Sequence, residues 1–256
     1  MNEPKIDRSE HSQGEPSRSE QGRRARIRAA LLDWYPRVRR DLPWRRTRDP
    51  YRIWVSEVML QQTQVPTAVP YYERFLEEFP TVEALARAPL DRILAHWQGL
   101  GYYARARNLH AAARLVVERH GGRLPADRAA LRALPGIGPY IAAAILSIAY
   151  GQDEAAIDTN IARVLTRLFD YDGDLTRAAG RRALEAYARA LLPPGRAGAF
   201  NTAIMELGAT VCVARAPRCE VCPVHADCLA HLRGTEELRP RRPEKRPTPY
   251  RAHAAA

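Results

Sequence analysis

The sequence predicts an all-α protein of one large domain or two small ones. Apolar residues recur at helical spacing along most of the 256-residue chain, and Gly and Pro separate the resulting segments. The sequence contains no convincing period-two strand pattern and no internal repeat. A chain of this length buries about 70% of the surface that its unfolded form exposes, so it can form a substantial core.

The N-terminal half is predicted to contain six helices after a polar tail. Residues 1–21 are rich in Ser, Glu, Arg and Gly, a composition that predicts a disordered tail. The first helix is amphipathic, with Ile27, Leu31 and Tyr35 on one face. Prolines and the glycine pair after His120 delimit the helices that follow. The predicted helices are residues 22–39, 53–63, 65–79, 82–88, 91–98 and 104–120.

In the C-terminal half, helices are predicted on both sides of a Gly-rich turn and again farther along. The turn LPGIG, residues 134–138, lies between a helix at 127–133 and a buried apolar helix. The later predicted helices are residues 160–169, 177–192 and 200–211. From Arg233 onward the chain is rich in Pro and Arg, which predicts a second tail that is too short for another domain.

The charge of the chain suits a polyanionic partner. The net charge is +11 and the isoelectric point is near 9.9. Lys5 and Lys245 are the two Lys of the sequence, so lysine Schiff-base chemistry lacks a nucleophile in the predicted core. No apolar run reaches the ~20 residues that span a bilayer, and no signal peptide is recognisable, so we expect a cytoplasmic protein with no membrane partner.

The turn at residues 134–138 is a candidate phosphate site. Pro135, Gly136 and Gly138 let backbone N–H groups point outward together, and a helix N-terminus follows at once. The pattern indicates a helix-hairpin-helix that grips a DNA backbone without reading its sequence. A plain tight link between two packed helices is the alternative that the turn alone leaves open.

Two carboxylates are candidates for acid–base chemistry. Glu57 follows Ile53 and Trp54 by about one helical turn, so partial desolvation is expected to raise its pKa and suit it to act as a general acid. Asp158 precedes a predicted helix, where an Asp is a natural N-cap that stays ionised. A protonated Glu57 and an ionised Asp158 have the opposite roles that glycosidic bond cleavage requires. A surface Glu and a purely structural cap are the alternatives.

Four Cys fall within a short segment near the C-terminus, with the spacing Cys212-x6-Cys219-x2-Cys222-x5-Cys228. Clustered Cys in a cytosolic chain indicate metal ligands before disulfides. Four thiolates at this spacing can close around one iron–sulfur cube, whereas structural zinc sites usually show paired short spacings and only one is present here. The sequence therefore predicts a 4Fe–4S cluster, with zinc as the alternative.

The segment LGYYARARNLH, from Leu100 to His110, combines a glycine, two adjacent Tyr and several basic residues. Aromatic rings beside Arg suit insertion into a base stack next to phosphate contacts, so Tyr102 and Arg105 are candidate DNA contacts. A buried Tyr pair with a solvated basic face explains the same pattern equally well.

Together and in this order, these motifs resemble the helix-hairpin-helix DNA glycosylases that carry a 4Fe–4S cluster. Within that group the chain is similar to the mismatch-specific adenine DNA glycosylases, the MutY family, over about residues 26–229. The motifs that carry the resemblance are LPW at 42, WVSEVMLQQTQV at 54, GLGYYARARNL at 99, LPGIG at 134, IDTNIARV at 157, FNTAIMELGA at 200 and the Cys set.

The resemblance implies two helical subdomains with a DNA-binding cleft between them. A six-helix barrel with the helix-hairpin-helix would take residues 48–152, and an iron–sulfur subdomain would take residues 153–230. Residues 22–47 would pack with the cluster subdomain, and residues 231–256 would form a basic tail. The implied partner is double-stranded DNA with a mismatched or damaged base pair. The protein is expected to act as a monomer in a bacterial-type, nucleoid-associated setting.

The resemblance also implies roles for individual residues. Glu57 would protonate the flipped adenine, Asp158 would stabilise the oxocarbenium-like sugar, and Asn160 would hold that network. The base must leave the stack because its reacting atom is unreachable inside a duplex. The implied DNA contacts are the wedge residues Gln62 and Tyr102, the hairpin glycines Gly136 and Gly138, and Arg105.

Position 140 separates two types of glycosylase. The bifunctional, endonuclease III-type relatives carry a Lys there that also cuts the strand, whereas this chain has Tyr140. The resemblance therefore implies a monofunctional adenine glycosylase, with Tyr140 in the catalytic site.

Two departures from the family pattern leave alternatives open. MutY-type proteins usually continue into a C-terminal domain that reads 8-oxoguanine, and this sequence is expected to lack it. Tyr140 also occurs in superfamily members that remove thymine or uracil mispaired with guanine, which makes that activity the alternative. A DNA-binding relative without catalysis is a third hypothesis, and the presence of both Glu57 and Asp158 argues against it.

Overall fold

The computed structural model describes residues 18–241, and within that range the protein is built of helices and short turns with no strand. The predicted all-α class is confirmed. No helix in this range has both the length and the apolar character that crossing a bilayer demands. The helices are α1 (Arg18–Val38), α2 (Pro50–Leu60), α3 (Val65–Glu78), α4 (Val82–Arg87), α5 (Leu90–Trp97), α6 (Ala104–His120), α7 (Arg128–Arg132), α8 (Pro139–Ile148), α9 (Thr159–Leu168), α10 (Ala178–Leu191), α11 (Ala197–Thr210) and α12 (Leu229–Arg233).

The boundaries of α2 differ from the predicted ones at both ends. This helix begins three residues before the predicted start, because the Asp49 side chain caps it by accepting a hydrogen bond from the Tyr51 N–H at 2.8 Å, and Pro50 suits the first turn. It ends at Leu60, three residues before the predicted end, and Gln62 then adopts a left-handed backbone with φ of 57°.

Parts of both predicted tails belong to the folded structure. Helix α1 already includes residues 18–21, and residues 1–17 lie outside the described range. Residues 231–241 are not a free tail. The buried Arg167 guanidinium donates hydrogen bonds to the carbonyl oxygens of Glu236 and Arg239, at 2.8 and 3.2 Å, which fixes this segment to α9. Residues 242–256 lie outside the description.

Most of the buried apolar side chains belong to one of two clusters. One cluster joins α2 through α8 around Trp54, Phe75 and Trp97. The other joins α1 to α9, α10 and α11 around Ile27 and Leu31. The predicted subdomain boundaries themselves stay a prediction.

Asn201 on α11 ties the two clusters together next to the site. Its side-chain amide donates to Ser147 Oγ on α8 at 2.9 Å and to the Glu154 carbonyl at 2.7 Å. Residues 151–158 belong to neither a helix nor a strand, and they lead directly into α9. The buried amide thereby fixes the segment that carries Asp158 against the helix that carries Tyr140.

Candidate active site

Glu57 lies on α2 with its side chain turned into the protein, and it is 7% exposed. Its neighbours Ile53 and Trp54 are buried, as the helical spacing predicts. Tyr140 on α8 donates its hydroxyl hydrogen to Glu57 Oε2 at 2.7 Å.

Burial raises the pKa of Glu57 to about 7, and the charge of Asp158 adds to that rise against the opposing Tyr140 hydrogen bond. A carboxyl with such a pKa is half neutral near pH 7. It can therefore donate a proton under physiological conditions.

Asp158 is the N-cap of α9, as the sequence predicts. Its Oδ1 accepts from the Ile161 N–H at 2.7 Å, and its Oδ2 accepts from Asn160 Nδ2 at 3.0 Å. Burial raises the pKa of Asp158 above its usual value, and these two hydrogen bonds oppose the rise. The predicted ionised state of Asp158 stays a prediction.

A chain of hydrogen bonds runs from Asp158 to the Cys segment. Asn160, which donates to Asp158, accepts at its Oδ1 from Arg163 Nη2 at 2.8 Å. Arg163 also donates to the Cys212 carbonyl at 2.8 Å and to the Gly208 carbonyl at 2.8 Å. The orientation of the Asp158 carboxylate is thus tied to the backbone of the first Cys.

A single open cleft of about 1800 Å³ contains these groups. Glu57, Asp158, Asn160 and Tyr140 all line it, so the structure brings the four predicted catalytic residues to one place. The effect of Asp158 on the pKa of Glu57 shows that the two carboxyl groups interact electrostatically.

Sequence analysis missed a third carboxylate in the same cleft. Glu206 on α11 is fully buried and accepts hydrogen bonds from Arg40 at 2.7 and 2.9 Å and from Arg45 at 2.6 Å. Burial acts to raise the pKa of Glu206, but the two guanidinium groups outweigh it and lower the pKa to about 2. The sequence signal that could have revealed Glu206 is its charge, since it lies inside the otherwise mostly apolar segment FNTAIMELGA.

The predicted wedge residues lie at the edge of the cleft. Gln62 and Tyr102 both line it and are both exposed, with φ of 57° and 49°. The predicted DNA contact by Arg105 does not fit its placement. Its side chain is 9% exposed, and both terminal nitrogens donate to oxygens of the protein itself.

The Gly-rich turn joins α7 to α8 as a helix-hairpin-helix. Gly136 has φ of 77°, and a Cβ there would come 2.9 Å from Asn108 Cβ. Gly138 is the N-cap of α8, and a Cβ at that position would meet nothing within 4 Å. Open space therefore lies beside the N-terminus of α8, where the first helical N–H groups after Pro139 have no partner within the helix and can serve an anionic oxygen.

The four Cys are unpaired, and their chemistry fits a shared metal group. Burial raises the pKa of Cys222 to about 12 and that of Cys228 to about 11, and the proximity of the other thiols adds to both. A bound metal cation would stabilise the thiolate forms of these neighbouring cysteines. Arg167 Nη1 lies 3.3 Å from Cys212 Sγ and supplies further positive charge.

Cys219 also lies close to two further potential metal ligands. Within residues 18–241, the one set of three potential ligand atoms that lie within 4.8 Å of one another is Cys219, His231 and Glu236.

Comparison with known proteins identifies the fold family. Residues 55–190 match the model of the HhH-GPD superfamily base excision DNA repair proteins. The chain belongs to this superfamily. Solved structures align with more of the chain than the family model does. A thermostable thymine-DNA glycosylase aligns with a TM-score of 0.76 and 32% identity, covering 83% of this chain and 98% of that one.

A second superfamily structure shares the fold at lower identity. The structure of a non-covalent endonuclease III–DNA complex aligns with a TM-score of 0.70 and 22% identity, over 84% of this chain and 97% of that one.

Two curated relatives that the chain resembles are adenine DNA glycosylases. The adenine DNA glycosylase of Homo sapiens is 46% identical over 220 residues, which are 82% of this chain and 40% of that protein. The adenine DNA glycosylase of Buchnera aphidicola subsp. Baizongia pistaciae is 38% identical over 203 residues, or 79% of this chain and 57% of that protein. The chain thus spans about half the length of the curated relatives that it matches.

Proposed function

We propose that the protein is a monofunctional DNA glycosylase that removes adenine mispaired with 8-oxoguanine or guanine. The observation that carries the proposal is the Glu57 carboxyl, buried and poised near neutrality in the cleft that also holds Asp158. The resemblance to curated adenine DNA glycosylases supports adenine as the base. The net charge of +11 suits a duplex DNA partner.

The chemistry follows from the states of the two carboxyl groups. The neutral Glu57 donates its proton to a ring nitrogen of the extruded adenine, which turns a poor leaving group into a neutral one. Positive charge then develops on the sugar, and the carboxylate of Asp158 stabilises it. Asn160 holds that carboxylate in place through its hydrogen bond to Oδ2. A water molecule then adds to the sugar carbon that adenine has left, and the proton that it releases returns to the Glu57 carboxylate.

The glycosylase should leave the DNA strand intact. Strand cleavage by a Schiff-base route needs a lysine amine at the sugar, and the two Lys of the sequence lie near its ends. Tyr140 occupies the cleft instead and donates to Glu57. Borohydride reduction during turnover is expected to trap no robust covalent complex.

The Cys set would hold a 4Fe–4S cluster. Cys212, Cys219, Cys222 and Cys228 would be its ligands, and when bound the cluster would fix the shape of the 212–228 segment. Arg215 and Arg218 are exposed in this segment, where they can contact phosphate oxygens. Absorbance of the purified protein and its iron content test the assignment against zinc.

Removal of thymine mispaired with guanine is a second candidate function. The 32% identity to a thymine-DNA glycosylase over 98% of its length favours it, since the curated adenine glycosylases are matched over only part of theirs. Position 140 does not separate the two candidates, because Tyr occurs there in both groups.

Single-turnover base release on matched duplexes tests both candidates. The substrates carry adenine opposite 8-oxoguanine, adenine opposite guanine, thymine or uracil opposite guanine, and an intact pair as the control. Release of adenine is expected. Release of thymine or uracil with adenine untouched would establish the second candidate, and tight DNA binding with no release from any substrate would contradict both.

A further inference from the structure

One buried guanidinium joins two separate loops at the edge of the cleft. The first loop, residues 61–64, follows α2 and carries Gln62. The second, residues 98–103, precedes α6 and carries Tyr102. We call these the wedge loops. They are about forty residues apart in the sequence, and Arg105 in the first turn of α6 contacts both.

The two terminal nitrogens of Arg105 divide their hydrogen bonds between the loops. Nη1 donates to three carbonyl oxygens at the end of α2 and in the first loop, at 3.0, 2.7 and 2.6 Å: those of Val58, Met59 and Gln61. Nη2 donates to oxygens of both loops, each at 3.2 Å: Thr63 Oγ1, the Leu100 carbonyl and the Gly101 carbonyl. The planar fork of the guanidinium is the feature that allows both loops to be held at once.

Each wedge loop contains a non-glycine residue in a left-handed conformation. Gln62 and Tyr102 have φ of 57° and 49°, and such residues persist where surrounding contacts over-determine the backbone. Arg105 supplies those contacts, since it binds the residue that precedes each of them. Its guanidinium also lies 5.6 Å from the centre of the Tyr102 ring, which is 60% exposed.

The charge of Arg105 is held without a carboxylate. Among the residues that the structure describes, Arg105 donates hydrogen bonds to six neutral oxygens and to no carboxylate. Burial lowers its pKa accordingly. The negative end of the α2 dipole offsets part of this cost. A buried cation kept at such a cost, beneath two exposed strained residues, indicates a role beyond packing.

We propose that Arg105 is a positioning residue that fixes Gln62 and Tyr102 as one preformed wedge for holding a duplex open. The inference rests on the proposed function, in which these two residues fill the gap that an extruded base leaves. A preformed wedge avoids ordering two loops during extrusion, so loss of Arg105 lowers the yield of extruded base and leaves the proton chemistry at Glu57 intact.

The test compares Arg105→Lys with Arg114→Lys, a control on the exposed face of the same helix. Lys keeps the charge, but its single nitrogen cannot bind both loops as the fork does. The extrusion probe is a duplex with 2-aminopurine at the target position, whose fluorescence rises on unstacking. Arg105→Lys is expected to give a markedly smaller rise at saturating protein, and single-turnover base release about ten- to a hundredfold slower. The pH at which release declines should not move.

A second variant, Thr63→Val, keeps the inference testable if Arg105→Lys fails to fold. Thr63→Val removes one Nη2 acceptor from the first wedge loop and leaves the guanidinium in place, and it should reduce the fluorescence rise to a smaller extent. A wild-type fluorescence rise in Arg105→Lys would overturn the inference, and so would an unchanged rise in Thr63→Val if Arg105→Lys does not fold. A wild-type protein that extrudes 2-aminopurine in an Arg105-dependent way but releases no adenine would refute the proposed function while supporting the wedge.

Discussion

Two buried glutamates line the same cleft, and their surroundings shift their pKa values in opposite directions. Glu57 belongs to the cluster built by α2 through α8, and its pKa is raised to about 7. Glu206 belongs to α11 in the other cluster, and its pKa is lowered to about 2. Both side chains are removed from water, so burial alone does not explain the difference.

The hydrogen-bond partner decides the state of each carboxyl. Tyr140 offers Glu57 one neutral hydroxyl, which is too weak to offset desolvation. Arg40 and Arg45 offer Glu206 two cations at hydrogen-bond distance. One glutamate is thereby available as a proton donor, and the other is a fixed anion that holds two guanidinium groups on the wall of the cleft.

The largest expected effect is on catalysis by Glu57→Gln. A glutamine keeps the shape and the Tyr140 hydrogen bond but has no acidic proton, so base release should fall by about 10²- to 10⁴-fold. Single-turnover assays measure the rate, and a binding titration on the same duplex should show affinity within a few-fold of the wild type. A parallel loss of affinity would make Glu57 a structural residue.

Glu206→Gln tests whether the second glutamate is a structural anion. It leaves Arg40 and Arg45 without an anion, and the expected loss in the free energy of unfolding is about 3 kcal/mol, toward the low end for a buried pair because Arg40 is partly exposed to water. Urea denaturation at pH 7 measures it. Glu78→Gln, which breaks the more exposed pair with Arg92, is the control and should cost less than about 1 kcal/mol. An equal loss in the free energy of unfolding for the two variants would show that the Glu206 ion pairs stabilise the protein no more than an exposed pair does.

The pH dependence of stability should differ between wild type and Glu57→Gln. The folded pKa of Glu57, about 7, lies above its ordinary value of 4.5, so this residue's contribution to stability is complete below pH 4.5 and is lost as pH rises through 7. Glutamine does not titrate. The stability of Glu57→Gln relative to the wild type should therefore rise by about 3 kcal/mol between pH 4.5 and pH 8. Denaturation curves that differ by a constant amount at every pH would contradict the raised pKa.

The smallest expected effect comes from Tyr140→Phe. The Tyr140 hydroxyl stabilises the ionised form of Glu57, so its removal should raise the pKa of Glu57 further, by about one unit. The pH at which base release declines should shift upward by the same amount. Tyr150→Phe, which removes a hydroxyl bonded to the Leu124 carbonyl away from the cleft, serves as the control. A downward shift in Tyr140→Phe would reverse the role assigned to the hydroxyl.

Features set by short-range contacts were predictable from the sequence. Burial of Glu57 follows from Ile53 and Trp54 one helical turn away, and the capping role of Asp158 follows from its place before α9. The helix-hairpin-helix likewise follows from a Gly-rich turn between two apolar segments. In each case the deciding partners lie within a few residues, where periodicity and capping preferences operate.

Features set by long-range contacts were not predictable from the sequence. The partners of Glu206, Arg40 and Arg45, lie more than 160 residues away in sequence, so no local pattern indicates a triad. Arg105 looked like a surface cation beside two Tyr, and only packing against α2 shows that its charge is buried. The anchoring of residues 231–241 depends in the same way on the distant Arg167.

The most direct test of the account is the pH dependence of single-turnover adenine release by the wild-type protein. Because the neutral form of Glu57 donates the proton, the rate constant should fall about tenfold per pH unit above pH 7. The comparison should be made at saturating protein, so that DNA binding does not contribute to the profile. A rate constant that stays level from pH 7 to pH 9 would show that the reaction does not depend on a protonated Glu57, and it would contradict the central claim.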